Sequence, residues 1–285
     1  MIESIIQTWK TKDLSNASVL FQISQESWKK YNPTWTYQIL DDSEIANYVQ
    51  AHTPHFYKKT YVKYCAQIQR VDIFRIIHQI FDGGIYSDLD AEAVRPFQGD
   101  GLESNGIILG SLANKRSAQR IPNAFLYSGK THGIFWAFVL AEAQKRFNQS
   151  KGYDGAEWLT GPLLLTYCYH AYIEMSMDEI KRFILDYCPD FKSSLASFQE
   201  MPIQILGPNV IYPIDWTTTA GEQLGANLEQ RINQGFANPE IVHQDTICIN
   251  YWTHSWEIPK HTLRSRLAFR WRWMRHRLAT FLKKK

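Results

Sequence analysis

A helix that is apolar on nearly every side constrains this chain more than any other stretch, because it has to be buried on several faces at once. Gln67 to Phe81 has helical length and periodicity, and Ile68, Val71, Ile73, Phe74, Ile76, Ile77, Ile80 and Phe81 occupy most of its circumference. Two charged residues interrupt that surface. Asp72 and Arg75 stand three positions apart, so they are neighbours on one face, where a buried ion pair often adds no net stability. A costly pair kept in such a place marks a polar pocket. The helix ends at Asp82-Gly83-Gly84; glycine adopts positive φ readily and suits a C-cap and turn. Beyond it, Ile85-Tyr86-Ser87-Asp88-Leu89-Asp90 alternates as a strand does, with Tyr86, Asp88 and Asp90 on one side. Two carboxylates on one face of a buried strand end repel each other unless a cation stands beside them. A hard divalent ion that keeps some water and bridges substrate phosphates meets that need.

The flanking segments supply a sheet for this helix. Ile2 to Thr8 and Thr36 to Leu40 read as strands. Ser15 to Lys30 reads as a helix stopped before Asn32-Pro33, and Asp41-Asp42-Ser43-Glu44 supplies caps for another running through Val49. Strand, helix, strand, helix predicts an α/β chain with a mostly parallel sheet and ligands at the strands' carboxyl ends. Farther on, the pattern predicts strands over 106–112 and 123–127, helices over 131–148, from Pro162 and over 176–187, and late strands over 203–206, 210–212 and 246–251. Residues 221–235 read as polar loop. No repeat or low-complexity linker divides the chain, so we expect one catalytic domain over 1–258 and a basic amphipathic helix over 259–285. Four scattered cysteines without a C-x-x-C pair fit reduced thiols better than disulfides or zinc.

Composition matters chiefly in the tail. From Lys260 to Lys285 there are ten Lys or Arg and no Asp or Glu, against 21 basic and 28 acidic groups before them. The formal net charge of +3 therefore combines an acidic body of −7 with a basic end. Leu263, Leu267, Trp271, Met274, Leu278 and Leu282 recur at helical intervals among arginines, a pattern suited to an anionic membrane surface. A terminal helix packed on the domain accounts for it equally well. The acidic body argues against nucleic acid as a partner. No apolar run approaches the roughly 18 residues of a membrane span, and the start lacks a signal-peptide pattern.

Several stretches together resemble a known family. Ile5-Ile6-Gln7-Thr8-Trp9-Lys10, Ser27-Trp28 through Asn32-Pro33 to Leu40-Asp41-Asp42, Arg70 through Pro96, Thr160-Gly161-Pro162, and Trp252 through Ser255-Trp256 carry the likeness. The chain resembles the sugar transferases with a DXD motif that include the yeast initiating alpha-mannosyltransferase and the mannosyl inositol phosphorylceramide synthase subunits. More distantly it is similar to the glucosyltransferase domains of the large clostridial toxins. The resemblance implies a GT-A-type fold with a Rossmann-like mixed sheet, a UDP- or GDP-sugar donor, Mn²⁺ or Mg²⁺, and retention of anomeric configuration. It implies that Trp9 stacks on the base and that Asp72 and Arg75 hydrogen-bond the donor sugar. Tyr86 and Asp88 would meet the nucleotide sugar, and Asp90 would ligate the metal with Asp88 nearby. Ser255 and Trp256 would lie on a loop closing over the diphosphate. Family members often carry His where Gln7 stands and again where Asn250 and Tyr251 stand, so Asn250 and His254 both remain candidates for the last metal ligand. Eukaryotic relatives begin with a membrane anchor that is not present here, which implies a cytoplasmic enzyme, peripheral on the inner membrane face, with a glycan or lipid-linked acceptor.

Other readings compete. A toxin-like transferase would modify a protein. A phosphohydrolase would use Asp88 as nucleophile, but Asp90 is followed by Ala91-Glu92 without the Thr or Val that chemistry expects. A glycosidase needs carboxylates about 5–9.5 Å apart across a sugar, which two acids on one strand face do not provide. A non-catalytic nucleotide-sugar or membrane-binding module completes the set.

Overall fold

The computed structural model describes residues 2–98, 101–114, 117–118, 120–150, 154–216, 218 and 242–253. The chain opens with β1 (Ser4–Thr8), α1 (Val19–Tyr31), β2 (Thr36–Leu40), α2 (Asp42–His52), α3 (Pro54–Lys59) and α4 (Gln67–Phe81). There follow β3 (Gly84–Ser87), β4 (Ala91–Ala93), β5 (Ile107–Gly110), β6 (Phe125–Ser128) and α5 (Ile134–Ser150). The later elements are α6 (Ala156–Leu159), α7 (Pro162–Glu174), α8 (Met177–Tyr187), β7 (Ile203–Leu206), α9 (Pro208–Ile211) and β8 (Cys248–Asn250).

Six strands form one sheet in the order β2-β1-β3-β6-β5-β7, in which only β6 runs against the rest. This is the mixed, mostly parallel sheet that the strand–helix alternation predicts. Alternation along the strands sorts the core into two layers. Ile6, Tyr86, Leu109 and Leu126 join α4, α5, α7 and α8 in one cluster, while Ile5, Ile85, Ile108 and Tyr127 join Trp28 of α1 in the other. Within the first layer Ile73, Phe74, Ile77 and Ile80 of α4 are fully buried, each stabilising by about 1.5–3 kcal/mol. The greasy helix is thus an inner element, packed between α2 and α5 and against β6.

Local chemistry fixes how α4 meets the sheet. Gly83 and Gly84 hold φ of 69° and 74°, the left-handed region where a Cβ is costly. A Cβ on Gly84 would overlap Ser4 Oγ, and one on Gly83 would stand 2.9 Å from the Ser128 carbonyl. The turn therefore brings β3 tight against β1, with Ile5 opposite Ile85 and Ile6 opposite Tyr86. On β2's far end, Asp41 and Glu44 form a reciprocal capping box that starts α2.

Two expectations need correction. The strand predicted over 85–90 ends at Ser87, because Ala91 N–H bonds to the Asp88 carbonyl at 3.1 Å and closes a turn. The chain then re-enters as β4, which pairs with β8 in a separate two-stranded sheet, Ala91 opposite Asn250. The strand predicted over 210–212 is instead the end of α9, started by Pro208 after Gly207, a favourable first helical position for proline. Helix α3, begun by Pro54, was not anticipated. The predicted loop over 221–235 and the basic tail helix over 259–285 lie outside the described residues. Among the described residues, no helix is long and apolar enough to cross a membrane.

Candidate active site

The second turn of α4, the carboxyl end of β3, the approach to β6 and the α6–α7 junction converge on one guanidinium. Arg75 Nη2 lies 3.3 Å from Asp72 Oδ1 and 3.1 Å from Asp88 Oδ1. Its Nη1 donates to the Asn123 carbonyl at 2.6 Å, and the group rests over the Tyr86 ring, 4.4 Å from the centroid. Asp72 is held on both oxygens: Asn123 Nδ2 donates to Oδ1 at 2.9 Å and Thr160 Oγ1 to Oδ2 at 2.8 Å. Tyr86 Oη donates to Asp88 Oδ1 at 2.8 Å and lies 3.3 Å from Thr8 Oγ1. Gln7 donates through Nε2 to the Asp88 carbonyl at 3.1 Å and accepts from Tyr37 Oη at 2.6 Å.

Burial and charge oppose each other here. Asp72 and Arg75 are almost closed from solvent, whereas Asp88 keeps 31% of its side chain open. Two carboxylates share one cation, so the cluster is net negative when ionised. Desolvation lifts the Asp88 pKa to about 6; Arg75 resists that shift and the charge of Asp90 adds to it. Burial also raises Asp72, again against Arg75. For Arg75 itself burial disfavours the charge, yet Asp88, Tyr86 and Asp72 outweigh it and hold the guanidinium above its ordinary value.

Asp90 turns another way. Its Oδ2 accepts from both the N–H and the Oγ1 of Thr253, each at 2.8 Å, and its carbonyl accepts from Tyr251 N–H at 3.0 Å. The 250–253 segment is shaped for this grip. Trp252 sits at φ 53°, a conformation costing a non-glycine residue about 1–2 kcal/mol. It is held there by its N–H on Asn250 Oδ1 at 3.0 Å and its indole N–H on the Ile214 carbonyl at 2.8 Å. Asn250 is 1% exposed, and its Nδ2 has no partner.

The structure therefore gathers Asp72, Arg75, Tyr86 and Asp88 into one cluster and sets Asp90 and Asn250 in the adjoining strand pair. Asp88 and Asp90 do not project from one strand face, because the turn after Ser87 rotates one toward Arg75 and the other toward Thr253. Trp9 stands half-buried at the carboxyl end of β1, edge-on to Phe21 at 4.7 Å, with Lys10 Nζ 5.2 Å above its ring. His254, Ser255 and Trp256 lie outside the described residues. Sequence reasoning missed Gln7's hold on Asp88, and also Asn123, Thr160 and Thr253. Thr160 was visible as the first residue of Thr160-Gly161-Pro162, but its partner is 88 residues away. Asn123 carried no signal at all.

Among the described residues no three His, Cys, Asp or Glu side chains form a metal cage. Mg²⁺ and Mn²⁺ are commonly held by one or two carboxylates, with water and substrate phosphates completing the shell. Asp90 and Asp88 are hard oxygen donors of that kind, each with one carboxylate oxygen outside the bonds above, so their chemistry suits such an ion; the unpartnered atom of Asn250, Nδ2, is a donor and does not ligate a cation.

Residues 18–108 match a family model described as a glycosyltransferase sugar-binding region containing a DXD motif. That stretch includes Asp72, Arg75, Asp88 and Asp90. No curated relative matches the chain. Among seven matching solved chains, a PaToxG glycosyltransferase is 16% identical with a TM-score of 0.44, over 83% of this chain and 87% of that one.

Proposed function

We propose that this chain, which carries the DXD-containing sugar-binding region of glycosyltransferases, orients an activated sugar with its Asp72–Arg75–Asp88 cluster while Asp90 anchors a divalent ion at the diphosphate. One observation carries this reading: a buried guanidinium is shared by two carboxylates at the carboxyl end of β3, and one of those carboxylates opens to solvent. Ligands of α/β sheets gather at that edge.

The donor in this reading is a UDP- or GDP-linked hexose or N-acetylhexosamine, and the acceptor a glycan or glycolipid. Trp9 offers the base a flat face at the end of β1. Asp88 presents the cluster to the donor, with Tyr86, Arg75 and Asp72 fixing its position and charge from behind. Asp90, together with Asp88 and with Asn250 or His254, would hold Mn²⁺ or Mg²⁺, which supplies Lewis-acid neutralisation of the diphosphate. Thr253 pins one Asp90 oxygen and so fixes the carboxylate's direction. Ser255 and Trp256 would supply donors over the departing phosphate. As the glycosidic bond breaks, positive charge grows at the anomeric carbon, and a preorganised net-negative cluster favours that change. Asp72 is bound on both oxygens and Asp88 is paired with Arg75 and Tyr86, so neither is a ready nucleophile. The acceptor hydroxyl then attacks from the leaving-group side, its proton passing to the phosphate oxygen, and configuration is retained. The basic tail would bring the acceptor within reach at an anionic membrane, on the inner face of the cell membrane.

Incubation with a panel of UDP- and GDP-sugars plus Mn²⁺ tests the reading through donor hydrolysis. One or two donors turn over, and Asp90→Asn lowers that turnover by about 100-fold or more. Parent-like turnover by the variant refutes the metal assignment, and a trapped glycosyl-enzyme adduct refutes same-face transfer.

A further inference from the structure

On the other side of α4's first turn, α2, α3 and the start of α4 enclose a groove of about 450 Å³, within the range of small-molecule sites, about 300–1,000 Å³. Asp42, Tyr57, Tyr61, Val62, Gln67 and Arg70 line it. Its place follows from the helix. Arg75 touches Asp88 at the end of β3, so Gln67 and Arg70, a turn or more earlier, stand beyond the carboxyl edge of the sheet. Asp42 reaches the same edge, because α2 starts directly after β2. Arg70 and Asp72 are two helical positions apart, about 200° around the axis, so the groove adjoins the charged cluster without sharing its side chains.

The lining has two characters. Tyr57 and Tyr61 stack with centroids 5.4 Å apart and planes 23° from parallel, and Val62 beside them is 44% exposed. Asp42 and Arg70, which also line the groove, balance in charge. Arg70 is anchored by Nη2 on the Tyr64 carbonyl at 3.1 Å. Ser43 and Gln67 add a hydroxyl and an amide to the lining. A ring with an apolar face and a hydroxyl edge suits both halves of the lining. A phosphate would face the Asp42 carboxylate, and a wholly apolar ligand would leave the polar side unanswered.

We propose that this groove is a glycan subsite that holds a sugar ring of the acceptor beside the donor, an inference that rests on the transferase reading above. A binding measurement separates the two ideas, since it needs no turnover. Saturation-transfer NMR on the full chain would use maltose, cellobiose, lactose, N,N′-diacetylchitobiose and α-1,2-mannobiose as probes. At least one disaccharide should receive saturation. Ala46 also lines the groove; Ala46→Tyr, which fills it, and Tyr57→Leu, which removes the stacking face, should each weaken that binding by about tenfold. Acceptor-free donor hydrolysis should stay at the parent value, because neither residue touches the cluster; both pack against the core, so circular dichroism checks that each variant is folded. Binding by none of the five, or equal binding by parent and both variants, overturns the subsite. Loss of the signal on adding UMP or GMP assigns the groove to the donor's base and overturns it too. A parent that binds a disaccharide there but hydrolyses no donor supports the subsite and removes the transferase reading alone.

Discussion

Arg75 on α4 and Arg146 on α5 are each buried one turn from a carboxylate of their own helix, yet they are surrounded differently. Arg146 Nε lies 3.0 Å from Glu142, Lys145 adds a second cation at 3.1 Å, and the Trp158 and Tyr167 rings cover the guanidinium at 4.8 Å each. Its Nη1 donates to the Trp158 carbonyl. That cluster has cations in excess, and its central pair is closed: both side chains are nearly inaccessible. Around Arg75 the excess is of carboxylates, its Nε is unpartnered, and Asp88 opens outward. A buried arginine–carboxylate pair is thus not by itself a sign of function. The Arg75 cluster differs in its surplus of carboxylates and its one open member.

Hydrophobic replacement separates the two clusters most sharply. Arg75→Met strands two carboxylates and should cost about 3–5 kcal/mol in urea unfolding, more than Arg146→Met, which leaves Glu142 paired with Lys145. The double variant Glu142→Leu/Arg146→Met should recover most of its loss, since well-packed apolar pairs often replace buried ion pairs at no cost, and donor hydrolysis should persist. Asp72→Leu/Arg75→Met should recover less stability, because Asp88, Asn123 and Thr160 lose their partners, and hydrolysis should vanish. Equal activity in the two doubles would erase the distinction.

A second contrast lies within α4. His78, two turns along from Asp72, is buried beside Asp82 at 3.8 Å with the His52 and Tyr48 rings nearby. Desolvation depresses its pKa from 6.5 to about 4, with Asp82 opposing and His52 reinforcing. Between those values the unfolded chain binds the proton that the folded chain refuses. The stability contribution is therefore full above the unfolded pKa and is lost as pH falls toward about 4, by about 3 kcal/mol. His78→Phe should flatten that part of the profile in urea unfolding, and an unchanged slope would contradict the assignment. The smallest effect belongs to the third member of the α5 cluster. Lys145 is 29% exposed, so Lys145→Met should cost under about 1 kcal/mol, and a larger loss would show that cluster to be less self-sufficient than its geometry suggests.

Much of this was legible in the sequence because it was local. The bounds of α4 and β2 follow from periodicity and caps, and Gly83-Gly84 announced a positive-φ turn. Asp72, Arg75, Asp88 and Asp90 stood out through their spacing along one helix and the segment after it. What escaped was set by partners distant in the chain. Nothing near Ala91 reveals that β8 waits across from it. Asn123 and Thr160 reach Asp72 only after β6 and α7 are placed. The Glu142–Arg146 pair, four residues apart where Asp72 and Arg75 are three, also joins neighbours on one helix face, and only its closure in three dimensions distinguishes it.

The central claim is that the Asp72–Arg75–Asp88 cluster acts on the donor and is not merely structural. Asp72→Asn keeps the shape and the Thr160 and Asn123 neighbours while removing one charge. With whichever nucleotide sugar the parent hydrolyses, kcat/KM should fall by about 100-fold with the unfolding midpoint within a few degrees of the parent's. Parent-like kcat/KM in a folded variant would contradict the account.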